Sequence, residues 1–78
     1  MNDSIALTDL APGEEAVVES LQGGRGIQHR LRALGIGEGQ RVRKLSAVGL
    51  GGPVILQVHR AQVAIGRGMA RKIFVRRM

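Results

Sequence analysis

Glycine interrupts this chain so often that no helix or strand can be long: 12 of its 78 residues are Gly. Such a chain must turn many times, and short strands joined by tight turns meet that requirement. The apolar residues between the glycines are Val, Ile, Leu and Ala, and Phe74 is the one aromatic residue. The core is therefore aliphatic, and its β-branched members favour pleated strands. At 78 residues the chain reads as one domain over 1–78, too small for a deep cleft between lobes.

Residues 1–6 read as a loose start, and Thr8–Gly13 as a turn that Leu10 anchors and Pro12-Gly13 bends. Glu14–Leu21 reads as a strand with Ala16 and Val18 on one face. After Gly23-Gly24, Arg25–Leu34 reads as a short helix whose stripe is Ile27, Leu31 and Leu34. No Ser, Thr, Asp or Asn caps its start, so packing must hold it. Gly35 follows the stripe, where a helix reverses through positive φ, and Gly39 is a second candidate for that conformation. Gln40–Val48 reads as a strand in which Val42 and Leu45 differ in parity, a conflict that a bulge resolves. Gly49–Pro53 is a loop, and Pro53–His59 alternates with Val54, Leu56 and Val58 on one side. The chain turns back near Arg60, and Val63 and Ile65 begin the return strand. Gly66–Ala70 reads as a compact turn, and Arg71–Arg77 as the last strand with Ile73 and Val75 inward. The whole is mainly β, a small barrel or partly open sheet of about five strands with one helix. The expected core is Val18, Leu31, Leu34, Val42, Leu56, Val58, Val63, Ile65, Ile73 and Val75.

The chemistry-bearing residues are few. No Cys is present, which excludes disulfides, thiolate metal sites and thiol nucleophiles. His29 and His59 are the only histidines, short of a closed metal site, and read as exposed polar residues. The hydroxyls of Ser4, Thr8, Ser20 and Ser46 have no histidine placed beside them. The glycines of 49–53 lack the Lys and Ser or Thr of a phosphate loop. The expectation is a protein that is not an enzyme and binds no cofactor tightly. With no basic leader and no apolar run near about 20 residues, it is expected in the cytoplasm.

Charge is the remaining signal. The net charge is +6, all six acids lie at or before Glu38, and nine cations follow it with no acid among them. That excess reads either as a solvated surface or as attraction to an acidic partner. The residues expected to carry such a contact are Arg67, Met69, Arg71 and Lys72, with Phe74 beside them. A basic nucleic-acid-binding barrel is a weaker alternative, because one Phe offers no row of stacking platforms.

The order of these pieces resembles the FeoA family from about Leu7 to Val75. Leu10-Ala11-Pro12-Gly13-Glu14 with Ala16 and Val18 is similar to its opening, and Gly23-Gly24, Ile27 and Arg30-Leu31 to its helix. Leu34-Gly35-Ile36 with Gly39 resembles its most recognisable segment. Gly52-Pro53-Val54 with Val58, and Val63-Ala64-Ile65 followed by Met69-Ala70 and Ile73–Val75, resemble its middle hairpin and ending. The resemblance implies an SH3-like β-barrel with a helical insertion after the first strand. It also implies an accessory role in ferrous iron uptake beside FeoB, a membrane transporter with a cytosolic GTP-binding domain. In that reading iron is linked functionally, the chain is peripheral to the membrane through its partner, and weak self-association is compatible. The same barrel occurs in iron-dependent repressors, an alternative reading that the lack of a DNA-binding segment in these 78 residues disfavours.

Overall fold

A computed structural model describes residues 4–47 and 52–78. The chain runs through β1 (Ser4–Ala6), a 3-10 turn (Leu7–Asp9), β2 (Glu15–Leu21), α1 (Arg25–Ala33) and β3 (Arg41–Ala47). It continues through β4 (Val54–Val58), β5 (Ala61–Ile65), α2 (Arg67–Ala70) and β6 (Ile73–Arg77). Six strands form one antiparallel sheet in the order β1-β6-β2-β3-β4-β5. Among the described residues its two ends are not paired to each other, so the mainly β reading holds in its partly open form, with six strands where about five were expected. Two short α-helices among the described residues are available to cover the apolar face, and the body measures 29 × 28 × 24 Å. The sheet therefore wraps over its own core. Strands β2 to β6 and both helices contribute fully buried aliphatic side chains to one cluster.

Two register shifts supply the bend. One falls between Val18 and Ser20 and lets Leu21 rejoin Ala16 and Val18 on the inner face. The other falls between Lys44 and Ser46, where parity demanded a bulge. What turns inward before it differs from the expectation. Lys44 is 3% exposed, whereas Leu45 is only half-buried. The loop expected at Gly49–Pro53 lies outside the described residues from 49 to 51.

Three further corrections follow. Residues 4–6 of the expected loose start are β1, paired along β6 with Ile5 opposite Val75. The helix consequently follows the second strand, not the first. Gly66–Ala70 is largely helical rather than a plain turn, since α2 spans Arg67–Ala70.

The end of α1 explains the fourth correction. Leu31 is fully buried, but Leu34 is 41% exposed, and Ile36 takes the expected core place at 0%. The Gly35 N–H donates to Arg32 O at 3.0 Å and the Ile36 N–H to Leu31 O at 2.9 Å. This is a Schellman ending, in which the residue after the left-handed Gly packs back on the last turn. It carries Ile36 inward and leaves Leu34 outside. Gly35 has φ +88° and Gly39 φ +87°, both as expected. A β-carbon on Gly35 would also stand 3.2 Å from Val58 Cγ1. Gly35→Ala should therefore lose about 1–2 kcal/mol, the usual cost of a left-handed β-carbon. A urea midpoint unchanged from the parent would contradict that.

Candidate functional site

The five residues expected at a partner surface come from α2, the turn after it, and the start of β6. The sharp reversal at Arg71-Lys72 is closed by Lys72 N–H donating to Met69 O at 2.9 Å, and Lys72 O accepts from Gln22 N–H at 2.7 Å. That second bond ties the turn to the loop before α1. The Lys72 stem lies along it, with Cδ 3.1 Å from where a Gly23 β-carbon would stand. Arg25, exposed at the start of α1, follows directly. The basic end thus has Arg71 exposed, Lys72 half-buried along its stem, and Arg25 beyond.

The other three expected residues are placed differently. Met69 is half-buried against the core, beside fully buried Ala70. Arg67 is half-buried and lies near enough to the Lys44 ammonium to disfavour its charge. Phe74 alternates with buried Ile73 and Val75, so it occupies the outer face. There it sits between Ala6 of β1 and Ser20 of β2 and is half-buried, not open. The strand formed by residues 4–6 runs beside it, with Ala6 opposite Phe74.

Folding also redistributes the charge. Strand pairing brings the late cations back to the early acids. Arg77 Nε donates to Glu14 Oε2 at 3.0 Å, Arg43 to Glu15 Oε1 at 3.1 Å, and Arg76 lies 3.5 Å from Glu19. The Ala11 amide, with Arg77 behind it, holds the Glu14 carboxyl below its ordinary value. On α1, Arg32 reaches both Glu38 oxygens, at 3.1 and 3.2 Å. Among the described residues no carboxylate pairs with Arg71 or Lys72.

Lys44 is what sequence reasoning missed. Its Nζ donates to the carbonyls of Leu10 at 2.5 Å, Thr8 at 3.2 Å and Leu7 at 3.4 Å. An ammonium has three protons to give, and this pocket supplies three acceptors from the end of the 3-10 turn. Burial, and then the nearby Arg67 charge, push its pKa down from the ordinary lysine value. The parity clash around Val42 and Leu45 was the one available signal. His29 and His59 are both exposed, as expected. Among the described residues no three His, Cys, Asp or Glu side chains gather as metal ligands. No helix among them is long and apolar enough to cross a membrane.

Comparison with known proteins agrees with this geometry. A protein of Methanocaldococcus jannaschii, provisionally named Fe(2+) transport protein A, is 38% identical over 63 residues, covering 81% of this chain and 74% of its own. A crystal structure described as the iron uptake regulatory protein FeoA superposes with TM-score 0.87 at 28% identity, covering 96% of this chain and 97% of the other. A manganese-dependent transcriptional repressor shares the fold, with TM-score 0.90 at 19% identity, over 100% of this chain but 38% of the repressor. The family model described as the FeoA domain matches residues 5–77. With nearly the whole chain matched in sequence and in fold, this protein belongs to the FeoA family, which is associated with Fe(2+) transport.

Proposed function

We propose that this chain is a non-enzymatic accessory module of ferrous iron uptake that docks on the cytosolic GTP-binding domain of a FeoB-like transporter. The observation that carries the reading is the basic end at Arg71 and Lys72. Of the nine late cations, Arg43, Arg76 and Arg77 are held by carboxylates of the same chain and Lys44 is buried, whereas Arg71 and Lys72, like the exposed Arg41 and Arg60, have no carboxylate partner among the described residues. Arg25 extends the patch, and the outer face of Phe74 supplies apolar area of the kind found at protein interfaces. The module then works at the cytosolic side of the membrane through its partner, without spanning it. The likeness to repressors is one of fold and adds nothing toward DNA.

Association should weaken steeply as salt rises, because exposed charges are screened beyond a Debye length of about 8 Å at physiological ionic strength. Arg71→Glu should slow association more than it speeds dissociation. Stopped-flow binding across a salt series checks both, and a salt-independent on-rate in the parent would sink the electrostatic contact.

Iron itself enters this reading as cargo of the partner. The exposed histidines and scattered carboxylates offer no convergent ligand set among the described residues. Anaerobic calorimetry with ferrous iron should show weak binding at neutral pH. Submicromolar affinity lost in His29→Ala or His59→Ala would reverse this part of the proposal.

A further inference from the structure

A second polar surface lies on the outer face of the sheet, where β2, β3 and β4 run side by side. An open groove of about 430 Å³ is lined there by Glu15, Gln40, Arg41, Arg43, Gln57 and His59. The register builds it. Val42 faces Val58 and Arg43 faces Gln57 across β3 and β4, and Arg41 and His59, next to Val42 and Val58 in the chain, both line the groove. On the other side Glu15 faces Arg43 across β2 and β3 and accepts a bond from it. Arg43 is thereby fixed in place and partly neutralised. Arg41 is exposed and has no carboxylate partner among the described residues.

His59 is the unusual member. It has φ +56°, the one non-glycine residue in the left-handed region among the described residues. It opens the two-residue hairpin between β4 and β5, since Val58 pairs with Ala61. Gly, Asn or Asp is the usual choice at such a position, and a β-carbon there is strained. His59 is exposed, so core packing gives no reason for the side chain. Strained residues of this kind gather at binding sites.

We propose that this groove binds a carboxylate presented by an acidic polypeptide. Its donors are the Arg41 guanidinium, the Gln57 amide and the His59 imidazole, while the Gln40 amide nitrogen donates to the Arg41 carbonyl at 3.0 Å. The planar fork of a guanidinium matches a carboxylate through two parallel bonds. Glu15 offsets Arg43, which leaves one free cation and suits a single carboxylate better than a polyphosphate backbone. The groove is open, so it fits a group carried on another surface rather than an enclosed metabolite. The site is separate from the α2–β6 end and stands whether or not that end docks on a transporter.

The test is an NMR titration at low salt with an acetylated, amidated hexaglutamate peptide, and hexaglutamine as control. It is run on the parent and on an Arg71→Glu background, which silences the other basic end. Amide shifts at Arg41, Gln57 and His59 should move with hexaglutamate in both, and Arg41→Ala should weaken binding about tenfold or more, the usual worth of a charge-assisted bond. His59→Gly should raise the melting temperature by about 2–5 °C, since strain is released against some added chain entropy. The same variant should bind more weakly. Shifts confined to the α2–β6 residues, or unchanged affinity in Arg41→Ala, overturn the site. So does an equal response to hexaglutamine. A His59→Gly variant that melts higher and binds equally well would make the strain a turn feature only and overturn the role of the imidazole.

Discussion

Leu31→Ala is expected to lose about 2–5 kcal/mol, the range for truncating a buried leucine. Leu31 is 0% exposed and is the fully buried residue of α1. Its carbonyl also accepts the Ile36 N–H that closes the helix, so the same position holds both the packing and the ending of α1. No side chain caps the start of this helix. Nothing local therefore compensates when its one deep contact goes. For a domain of this size, total stability is on the order of 4–8 kcal/mol. The variant should be substantially unfolded at 37 °C, and urea denaturation followed by circular dichroism would show it. A loss below about 1 kcal/mol would mean that the neighbouring core collapses onto the cavity or that α1 contributes little.

The second large effect concerns Lys44. Lys44→Met keeps the buried stem but removes the three donors to Leu7, Thr8 and Leu10. Leu7 O retains the Leu10 N–H at 3.1 Å, so the deficit falls mainly on the other two carbonyls. Relief of the buried charge offsets part of it. A net loss of about 1–3 kcal/mol is expected. Lys44→Ala should lose more, about 3–5 kcal/mol, because the stem's packing goes as well. Stability should also depend on pH with a definite sign. Burial lowers the folded pKa of Lys44 from the ordinary 10.5, so the unfolded chain binds more protons in the window between the two values. The cost of the buried charge is fully present at neutral pH and is relieved as pH climbs through the folded value toward 10.5. The parent should thus gain stability across that window relative to Lys44→Met. A Lys44→Met protein as stable as the parent, with the same alkaline profile, would show that the ammonium does not hold the 3-10 turn.

The legible parts of this fold are those that local rules decide. Val54, Leu56 and Val58 alternate without interruption, and they lie on the inner face as read. Gly35 and Gly39 stand where the chain must reverse, and both have positive φ. Long-range pairing was not legible. Ser4–Ala6 carries too few apolar residues to read as a strand, yet β6 offers it an edge, with Ala6 opposite Phe74. Helical spacing put Leu34 in the stripe, but the ending at Gly35 turned Ile36 inward instead. At the candidate site, the separation of acids from bases along the chain was plain. The pairing of Glu14, Glu15 and Glu19 with Arg77, Arg43 and Arg76 depends on sheet order and could not be read from spacing. Lys44 shows the same limit, since its burial makes sense only once the carbonyls of residues 7–10 are seen to meet it.

Calorimetric titration of the chain into the purified cytosolic domain of a FeoB-like transporter, at low and then physiological salt, tests the central proposal most directly. The proposal predicts saturable binding at low salt, weaker at physiological salt and much reduced in Arg71→Glu, while the variant's folded stability is unchanged because Arg71 is exposed and holds no ion pair among the described residues. Absence of binding at low salt, or equal binding by parent and Arg71→Glu, would contradict it.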